Sequence, residues 1–294
     1  MNCLCGWPIK RLRKMPAREG KRGNMGDTGD DYKAMKEHSQ KKRANNREGS
    51  AEMLTEAGIE YESKNNGAHL IVDTIKYPKI QTLWKRDKDN KFCIMPGEYS
   101  DEIYSQIPTW HVTEKIDGMN MRIGKSIEYP AGGYIRGRTD KADIPGDLHN
   151  HCFGLTSPMG DRFKEIFPDS EDAPICLYGE GYGAGIQKGG GYSADKRFIL
   201  FDVRVGDWWL DQDDVRDVAE KLGCPYVPSF GIMTTDRIVR LVQERHVTCV
   251  DANPCDEKIM EGIVARSYPQ LFDKFGNRVM WKLKVKDYVA LEAK

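Results

Sequence analysis

Short runs in which apolar and polar residues alternate dominate the chain from about residue 78 onwards, with charged helical patterns between them. A period of two residues is typical of strands with one buried face. The sequence predicts strands over residues 109–116, 119–123, 175–179, 197–205, 226–232, 262–266 and 279–285. Helices are predicted over residues 161–167, 213–222 and 235–245. Because strands and helices do not alternate regularly, the pattern favours an α+β fold of largely antiparallel sheets with flanking helices.

The front of the chain has a different pattern, which divides the sequence into three predicted parts. Residues 1–26 are polar and basic and predict a disordered tail. Residues 27–77 predict a small αββ module, because a charged helix precedes two alternating runs that flank the tight-turn pair Asn66-Gly67. Residues 78–294 form the strand-rich remainder, which is long enough to bury a core of its own.

Composition excludes some classes of protein. The 294 residues include 45 Lys plus Arg and 45 Asp plus Glu, so whole-chain charge gives no argument for nucleic-acid binding. No apolar run approaches the ~18 residues of a membrane span. Eight cysteines without zinc-type spacing indicate reduced thiols in a cytoplasmic protein. His149-Asn150-His151-Cys152 has no second ligand pair nearby, so we predict a polar loop there and not a metal site.

Candidate chemistry is concentrated at Glu114-Lys115-Ile116-Asp117-Gly118. Lys115 lies between a predicted strand and a glycine turn, as a nucleophile for a nucleotide α-phosphate would. Lys115 and Asp117 are two positions apart on the predicted strand, which places both side chains on one face. Gly118 lets the backbone turn tightly beside a ligand. A lysine–nucleotide bond requires an uncharged amine, and nearby cations such as Arg138, Lys282 and Lys284 favour that form.

Further groups follow in a fixed order, and the order is more specific than any single group. They are Gly137-Arg138-Thr139, Tyr178-Gly179-Glu180-Gly181, Phe201-Asp202, Glu261-Gly262-Ile263-Val264 and Lys282-Leu283-Lys284. Lys282 and Lys284 share one face of a predicted strand and can neutralise an α-phosphate. Glu261, at a strand entrance, can hold Mg²⁺ through its carboxylate oxygens. Phe201 can stack on a purine, with an ordinary core position as the open alternative.

This ordered set resembles the covalent nucleotidyltransferase superfamily of ATP-dependent nucleic-acid ligases and messenger-RNA capping enzymes. Within it, the sequence is most similar to the RNA-repair ligases of phages and kinetoplastids. The strings that carry the likeness are Glu114–Asn120, Tyr178–Lys188, Phe198–Asp202, Glu261–Val264 and Lys282–Lys284. The likeness covers about residues 78–286. It implies an ATP-grasp-like ligase adenylation domain that acts in the cytoplasm, which is the host cytoplasm if the protein is encoded by a phage.

The resemblance also implies a role for each matching residue. Lys115 would carry AMP as the catalytic residue. The implied nucleotide-binding residues are Glu114 near adenine, Asp117, Gly118 and Asn120 near ribose or metal, Arg138 on ribose or phosphate, Glu180 on ribose, Phe201 on adenine, and Lys282 and Lys284 on the α-phosphate. Glu261 and Asp117 would hold Mg²⁺ or Mn²⁺. The implied function is an ATP-dependent RNA ligase that seals 3′-hydroxyl/5′-phosphate breaks through a covalent lysyl-AMP intermediate.

Two other functions stay open at the level of sequence. One is a minimal ATP-dependent DNA nick ligase, because phosphate contacts carry no base information and RNA and DNA ends share them. The other is a non-catalytic nucleic-acid-binding relic of the same fold, although the candidate nucleophile Lys115 and metal ligand Glu261 are both present. Only residues 285–294 follow Lys284, so we expect no C-terminal OB domain of the kind that DNA ligases and capping enzymes usually carry. This favours RNA ends or nicks as the partner, with DNA as the alternative.

Overall fold

The computed structural model describes residues 76–90, 93–125, 133–168, 170, 173–187, 191–250 and 258–292. Within these ranges the strands are β1 Gln81–Thr82, β2 Trp84–Arg86, β3 Ile94–Tyr99, β4 Trp110–Lys115, β5 Met119–Lys125, β6 Tyr134–Gly137, β7 Ile175–Tyr182, β8 Arg197–Val205, β9 Trp208–Trp209, β10 Ser229–Met233, β11 Gly262–Ser267 and β12 Met280–Lys284. The helices are α1 Ile103–Gln106, α2 Gly146–Thr156, α3 Met159–Ile166, α4 Gln212–Leu222, α5 Thr235–Gln243 and α6 Val285–Glu292. The predicted tail and all but the last two residues of the predicted αββ module lie outside the described residues.

Two five-stranded sheets form the framework of the described chain. Sheet A has the strand order β1-β12-β11-β4-β10, and its β1–β12 pair is parallel while its other pairs are antiparallel. Sheet B has the order β6-β5-β7-β8-β9 and is antiparallel throughout. Strands β2 and β3 form a separate antiparallel pair. The prediction of an α+β fold with largely antiparallel sheets and flanking helices is confirmed.

The outer faces of the two sheets are covered by helices. Sheet A packs against α5 and α6 through a core that includes the fully buried indoles of Trp110 and Trp281. Sheet B packs against α2, α3 and α4 through a second core that includes Leu148, Phe163 and Leu177. The inner faces of the two sheets meet in a third buried cluster, which includes Tyr178 of β7 and Val264 of β11. Partly buried charged side chains lie beside this contact, and we call the region between the sheets that they line the cleft.

A buried charge network joins the inner faces at one end of this cleft. Asp202 of β8 accepts hydrogen bonds from Arg266 of β11 at 3.0 Å, from Arg278 at 2.8 and 3.0 Å, and from the Tyr77 hydroxyl at 2.6 Å. Burial alone would raise the pKa of Asp202, but the two guanidinium groups outweigh it and lower the pKa to about 2. Asp202 is therefore a buried anion that fastens sheet B to sheet A.

One predicted helix shows how local signals set its ends. The Asp211 carboxylate accepts hydrogen bonds from the backbone N–H groups of Asp213 and Asp214, both at 3.0 Å, and so caps the start of α4. Gly223 follows the helix with φ of +71°, a left-handed conformation that glycine adopts without strain. The predicted helix over residues 213–222 is confirmed.

The prediction of a polar loop at His149–Cys152 is wrong, because these residues lie within α2. Leu148, Cys152 and Thr156 recur every fourth position and are buried, so this helix is held by one narrow stripe against sheet B. A stripe that contains a single large apolar residue is weak as a sequence signal. Within the described part of the chain, no helix is long and apolar enough to cross a membrane.

Candidate active site

A short linker, Ile116–Gly118, carries the chain from β4 of sheet A to β5 of sheet B. Lys115 is the last residue of β4, and Asp117 lies in the linker. The prediction that Lys115 and Asp117 share one strand face is therefore wrong, because the chain leaves sheet A immediately after the lysine. A Cβ added to Gly118 would lie 2.2 Å from the Gly181 carbonyl oxygen and 2.9 Å from Cγ of Glu180. This crossing requires glycine because no side chain fits between the linker and β7.

Strand register brings two lysines to one carboxylate. Gly262, the first residue of β11, pairs with Lys115 on one side and with Lys284 on the other. Residues opposite each other in neighbouring strands point to the same face, so both amines project into the cleft. The Lys115 amine lies 2.6 Å from Oε2 of Glu261, and the Lys284 amine forms an ion pair with Oε1 of the same carboxylate. Glu261 thus bridges the candidate nucleophile and a candidate phosphate ligand.

The balance of charge at this end of sheet A is positive. Burial raises the pKa of Glu261, but its ion pairs with Lys115 and Lys284 outweigh that effect and hold the pKa below its ordinary value. Lys282 lies two positions before Lys284 on the same face. Partial burial and then the neighbouring charges of Lys284 and Lys115 lower the pKa of Lys282 to about 8. Three amines around one carboxylate form a site that favours a polyanion such as a nucleotide polyphosphate.

The opposite wall of the cleft belongs to sheet B and carries the carboxyl group of Glu180. Glu180 of β7 lies opposite Asn120 of β5, and its carboxyl group accepts a hydrogen bond from the Gly118 backbone N–H. Burial raises the pKa of Glu180 to about 8, and the negative charges of Glu261 and Asp117 add to the rise while Lys115 opposes it. A carboxyl group with this pKa is largely protonated at neutral pH and can donate a hydrogen bond.

Glu114 lies apart from this cluster. Adjacent residues of a strand point to opposite faces, so its side chain faces away from that of Lys115. The Glu114 carboxylate accepts hydrogen bonds from the Thr248 hydroxyl and, at 2.9 Å, from the backbone N–H of Cys249. Burial raises the pKa of Glu114 to about 7, although both hydrogen bonds oppose the rise. Glu114 therefore ties the end of β4 to the segment before residue 251.

Phe201 and Arg138 lie at the margins of the cleft. Phe201 is the extra residue of a β-bulge, because Gly179 pairs with Leu200 while Tyr178 pairs with Asp202. A bulge re-aims a side chain. The Phe201 ring is partly buried and meets the Tyr77 ring edge-to-face at 4.9 Å between centroids. Arg138 is exposed and follows Gly137, the last residue of β6. The structure thus brings Lys115, Asp117, Gly118, Asn120, Glu180, Glu261, Lys282 and Lys284 into one cleft, with Phe201 and Arg138 at its edge and Glu114 behind it.

Sequence reasoning missed Tyr192, which supports the linker. The Asp117 backbone N–H donates to the Tyr192 hydroxyl oxygen at 3.1 Å, and the Tyr192 side chain is fully buried. The Lys258 ammonium lies 4.3 Å from the centroid of the same ring. Tyr192 directly follows the glycine-rich run of residues 179–191, and an aromatic residue there was the available signal.

The donor set fits a divalent cation that shares its ligands with a substrate. Among the described residues, no group of three or more His, Cys, Asp or Glu side chains is arranged to hold a metal ion. Mg²⁺ commonly takes one or two carboxylates from the protein and completes its shell with water and substrate phosphates. Glu261 matches that mode because its carboxylate lies beside two amines that would meet a phosphate. Asp117 lies in the linker after Lys115, where its negative charge acts on Glu180.

The sequence matches the model of the RNA ligase family over residues 108–284, which is more than half of the chain. The chain therefore belongs to the RNA ligase family. No match is found among curated protein sequences.

Solved structures of the RNA ligase of Naegleria gruberi are similar in fold. A variant of that enzyme with ATP and Mn is 16% identical, with a TM-score of 0.50 over 83% of this chain and 67% of that chain. The enzyme with PPi is 17% identical, with a TM-score of 0.49 over 80% of this chain and 64% of that one. A variant with AMP and Mn is 15% identical, with a TM-score of 0.47 over 74% and 59%. The chain thus spans about three fifths of the length of this last relative, 59%.

Proposed function

We propose that the protein is an ATP-dependent RNA ligase that works through a lysyl-AMP intermediate on Lys115. The observation that carries the proposal is the Lys115–Glu261–Lys284 arrangement. It presents a lysine amine beside a carboxylate and within a cluster of cations, at the end of a strand that faces Glu180 across the cleft. Membership of the RNA ligase family supports the same reaction.

The first step is attack by the Lys115 amine on the α-phosphorus of ATP. A nitrogen–phosphorus bond forms, the bond from that phosphorus to the bridging oxygen breaks, and pyrophosphate leaves. The amine must lose a proton, and Glu261, already 2.6 Å from it, is in position to receive that proton. Lys282 and Lys284 project from the same face and hold the negative charge that builds on the α-phosphate.

The remaining nucleotide contacts follow from the walls of the cleft. Glu180, with its pKa of about 8, donates a hydrogen bond to a ribose hydroxyl, and Asn120 opposite it supplies an amide to the same region. Phe201 offers its ring to the adenine, and Arg138 closes the ribose or phosphate side. Glu114 acts from behind β4 by fixing the segment that lines the adenine end.

Glu261 and Asp117 would hold Mg²⁺ or Mn²⁺ in this site. A bound divalent cation supplies charge neutralisation for the phosphates. The Naegleria gruberi RNA ligase variant, whose structure holds ATP and Mn, supports the use of ATP and a divalent cation.

Sealing then takes two further transfers. A 5′-phosphate oxygen attacks the phosphorus of lysyl-AMP, and the nitrogen–phosphorus bond breaks. A 3′-hydroxyl next attacks the activated 5′-phosphate, and AMP leaves. We propose RNA ends or nicks as substrate and repair of phage or host RNA as the setting. The free thiols of Cys93, Cys152, Cys176 and Cys224 support a reducing, cytoplasmic location.

Incubation with α-labelled ATP or α-labelled GTP, followed by a denaturing gel, tests the proposal. Label from ATP should stay on the denatured protein, and Lys115→Ala should abolish it. Lys286→Ala, at an exposed position on α6, is the matched control and should label like the wild type. Label that survives in Lys115→Ala, or that comes only from GTP, contradicts the proposal.

A further inference from the structure

Within the connection between β11 and β12, the segment Tyr268–Asn277 holds an unusual share of the exposed apolar surface. We call this segment the aromatic hairpin. Its exposed side chains are Tyr268 at 50%, Leu271 at 41%, Phe272 at 50% and Phe275 at 77%. Contiguous exposed apolar groups in a soluble domain mark surfaces that meet another molecule. Four in one short connection therefore require an explanation.

Internal hydrogen bonds hold this segment in one shape. The Asp273 carboxylate accepts from the backbone N–H groups of Phe275 at 2.8 Å and Asn277 at 2.9 Å, and from the Asn277 side-chain amide at 3.0 Å. The Ser267 hydroxyl oxygen accepts from the Leu271 N–H at 2.8 Å. The rings are thus presented to solvent by an ordered loop, so a partner would meet a preorganised surface.

The chemistry of the exposed groups matches a nucleic-acid strand. Three of the four exposed side chains are aromatic rings, and bases stack on such rings with little dependence on sequence. The Lys274 ammonium lies 5.0 Å from the Phe275 ring centroid, so a cation for a phosphate accompanies a platform for a base. The neighbouring Asp273 carboxylate is engaged by the hydrogen bonds of the loop.

The hairpin lies at the opposite end of β11 from the candidate active site. Phe272 is the cross-strand partner of Arg278, so both leave the hairpin on one face, and Arg278 reaches Asp202 of sheet B from that face. β11 spans six residues from Gly262. At about 3.3 Å per residue, the hairpin begins about 20 Å from the Lys115 end of the strand. That length corresponds to about six nucleotides at about 3.4 Å each.

We propose that the aromatic hairpin is a stacking platform for a single-stranded stretch of the RNA substrate, several nucleotides from the end that is sealed. Phe272 and Phe275 stack on bases, and Lys274 contacts the backbone. The inference deepens the proposed function and rests on it for the identity of the strand. It assigns binding of the RNA strand to the hairpin of sheet A.

The test compares the full-length wild type with Phe272→Ser/Phe275→Ser and with Trp208→Ser, a control at the 80% exposed tryptophan that begins β9. Fluorescence anisotropy measures binding of single-stranded RNAs of about 16 and about 4 nucleotides. Loss of stacking should weaken binding of the longer RNA roughly 10- to 100-fold in the double variant. Binding of the shorter RNA and formation of lysyl-AMP should not change, and the control should match the wild type.

Equal affinity of the double variant and the wild type for the longer RNA overturns the proposal. So does a change in sedimentation with unchanged RNA affinity, because it would identify the hairpin as a protein interface. If the double variant also loses lysyl-AMP formation, the single variant Phe275→Ser is used in its place. Phe275→Ser should bind the longer RNA more weakly, and Phe275→Trp should bind it as the wild type does. Absence of lysyl-AMP in the wild type would contradict the proposed function separately, since RNA binding is measured without ATP.

Discussion

The Lys115 amine and the Glu261 carboxylate lie 2.6 Å apart, although 146 positions separate them in the chain. Their contact depends on the pairing of β4 with β11. The sequence offered both residues as candidates, but only the register of these two strands explains why they meet. The same carboxylate also holds Lys284, so one side chain positions two amines.

Replacement of Glu261 tests this arrangement. Glu261→Ala should lower the rate of lysyl-AMP formation roughly 10²- to 10⁴-fold, because the amine loses its proton acceptor and the site loses a metal ligand. Glu220→Ala, at an exposed position of α4, is the control. Initial rates are measured at several concentrations of Mg²⁺ and Mn²⁺, with circular dichroism to check folding. If Glu261→Ala forms lysyl-AMP at the wild-type rate under limiting Mg²⁺, Glu261 is neither the proton acceptor nor a metal ligand.

Gly262 should not tolerate a side chain. A Cβ there would lie 2.1 Å from the Leu283 carbonyl oxygen, and φ is +156°. Gly262→Ala should therefore destabilise the fold by about 1–3 kcal/mol. It should also slow lysyl-AMP formation, because Gly262 sets the register of Lys115 and Lys284.

The matched control is Gly154→Ala in α2, where no atom lies within 4 Å of an added Cβ. Alanine is the better helix former, so this variant should be more stable than the wild type by about 0.5–1 kcal/mol. Urea unfolding measures both variants. Similar stability of the two variants would show that β11 can shift to admit the methyl group.

Removal of the Asp202 carboxylate should strongly lower the free energy of unfolding. Asp202→Ala leaves Arg266 and Arg278 as buried cations without their counter-ion, which costs about 3–5 kcal/mol. The control is Asp207→Ala, whose side chain is 97% exposed and pairs with Arg204. That exposed pair should contribute little to stability. Equal urea midpoints for the two variants would contradict the assigned role of the network.

The same carboxylate predicts a pH dependence of stability. Its pKa falls from an ordinary value of 3.8 to about 2 in the folded protein. A lowered pKa means that the stabilisation is present above pH 3.8 and is lost as the pH falls towards 2. Asp202→Asn should therefore show a shallower loss of the free energy of unfolding than the wild type over this range. Parallel curves would indicate that other carboxylates govern acid unfolding.

The choice of substrate gives a further prediction. An RNA 3′ end can be recognised through its 2′-hydroxyl, which DNA lacks. Sealing should need ribonucleotides on the 3′-hydroxyl side of a nick and should tolerate DNA on the 5′-phosphate side. Matched nicks that differ only in the terminal ribose test this. Equal sealing of an all-DNA nick would favour a DNA nick ligase.

Local patterns predicted much of the fold. An apolar run located β8 at residues 197–205, and Asp211 with Gly223 marked the ends of α4. Helix α6 was missed because it follows β12 without an intervening loop, so no turn residue marks the boundary between strand and helix.

Contacts between distant positions could not be predicted in the same way. Asp202 and Arg266 are 64 positions apart, and a charged residue inside an apolar run was the one available hint for each. The position of Glu114 behind β4 follows from strand alternation. The groups that donate hydrogen bonds to its carboxylate there belong to Thr248 and Cys249. Their position depends on how a segment more than 130 residues further along the chain folds back onto β4.

The cleft is fixed at two points, by the linker Ile116–Gly118 and by the Asp202 network. With two attachments the sheets cannot rotate apart about a single hinge, so the width of the cleft is set when the protein folds. The two walls of the cleft are consequently already at the right separation when a nucleotide binds. Binding therefore loses little free energy to ordering of the protein. Adaptation to differently shaped strand ends must then come from the segments that rim the cleft, which makes those segments the natural targets for changing what the enzyme joins.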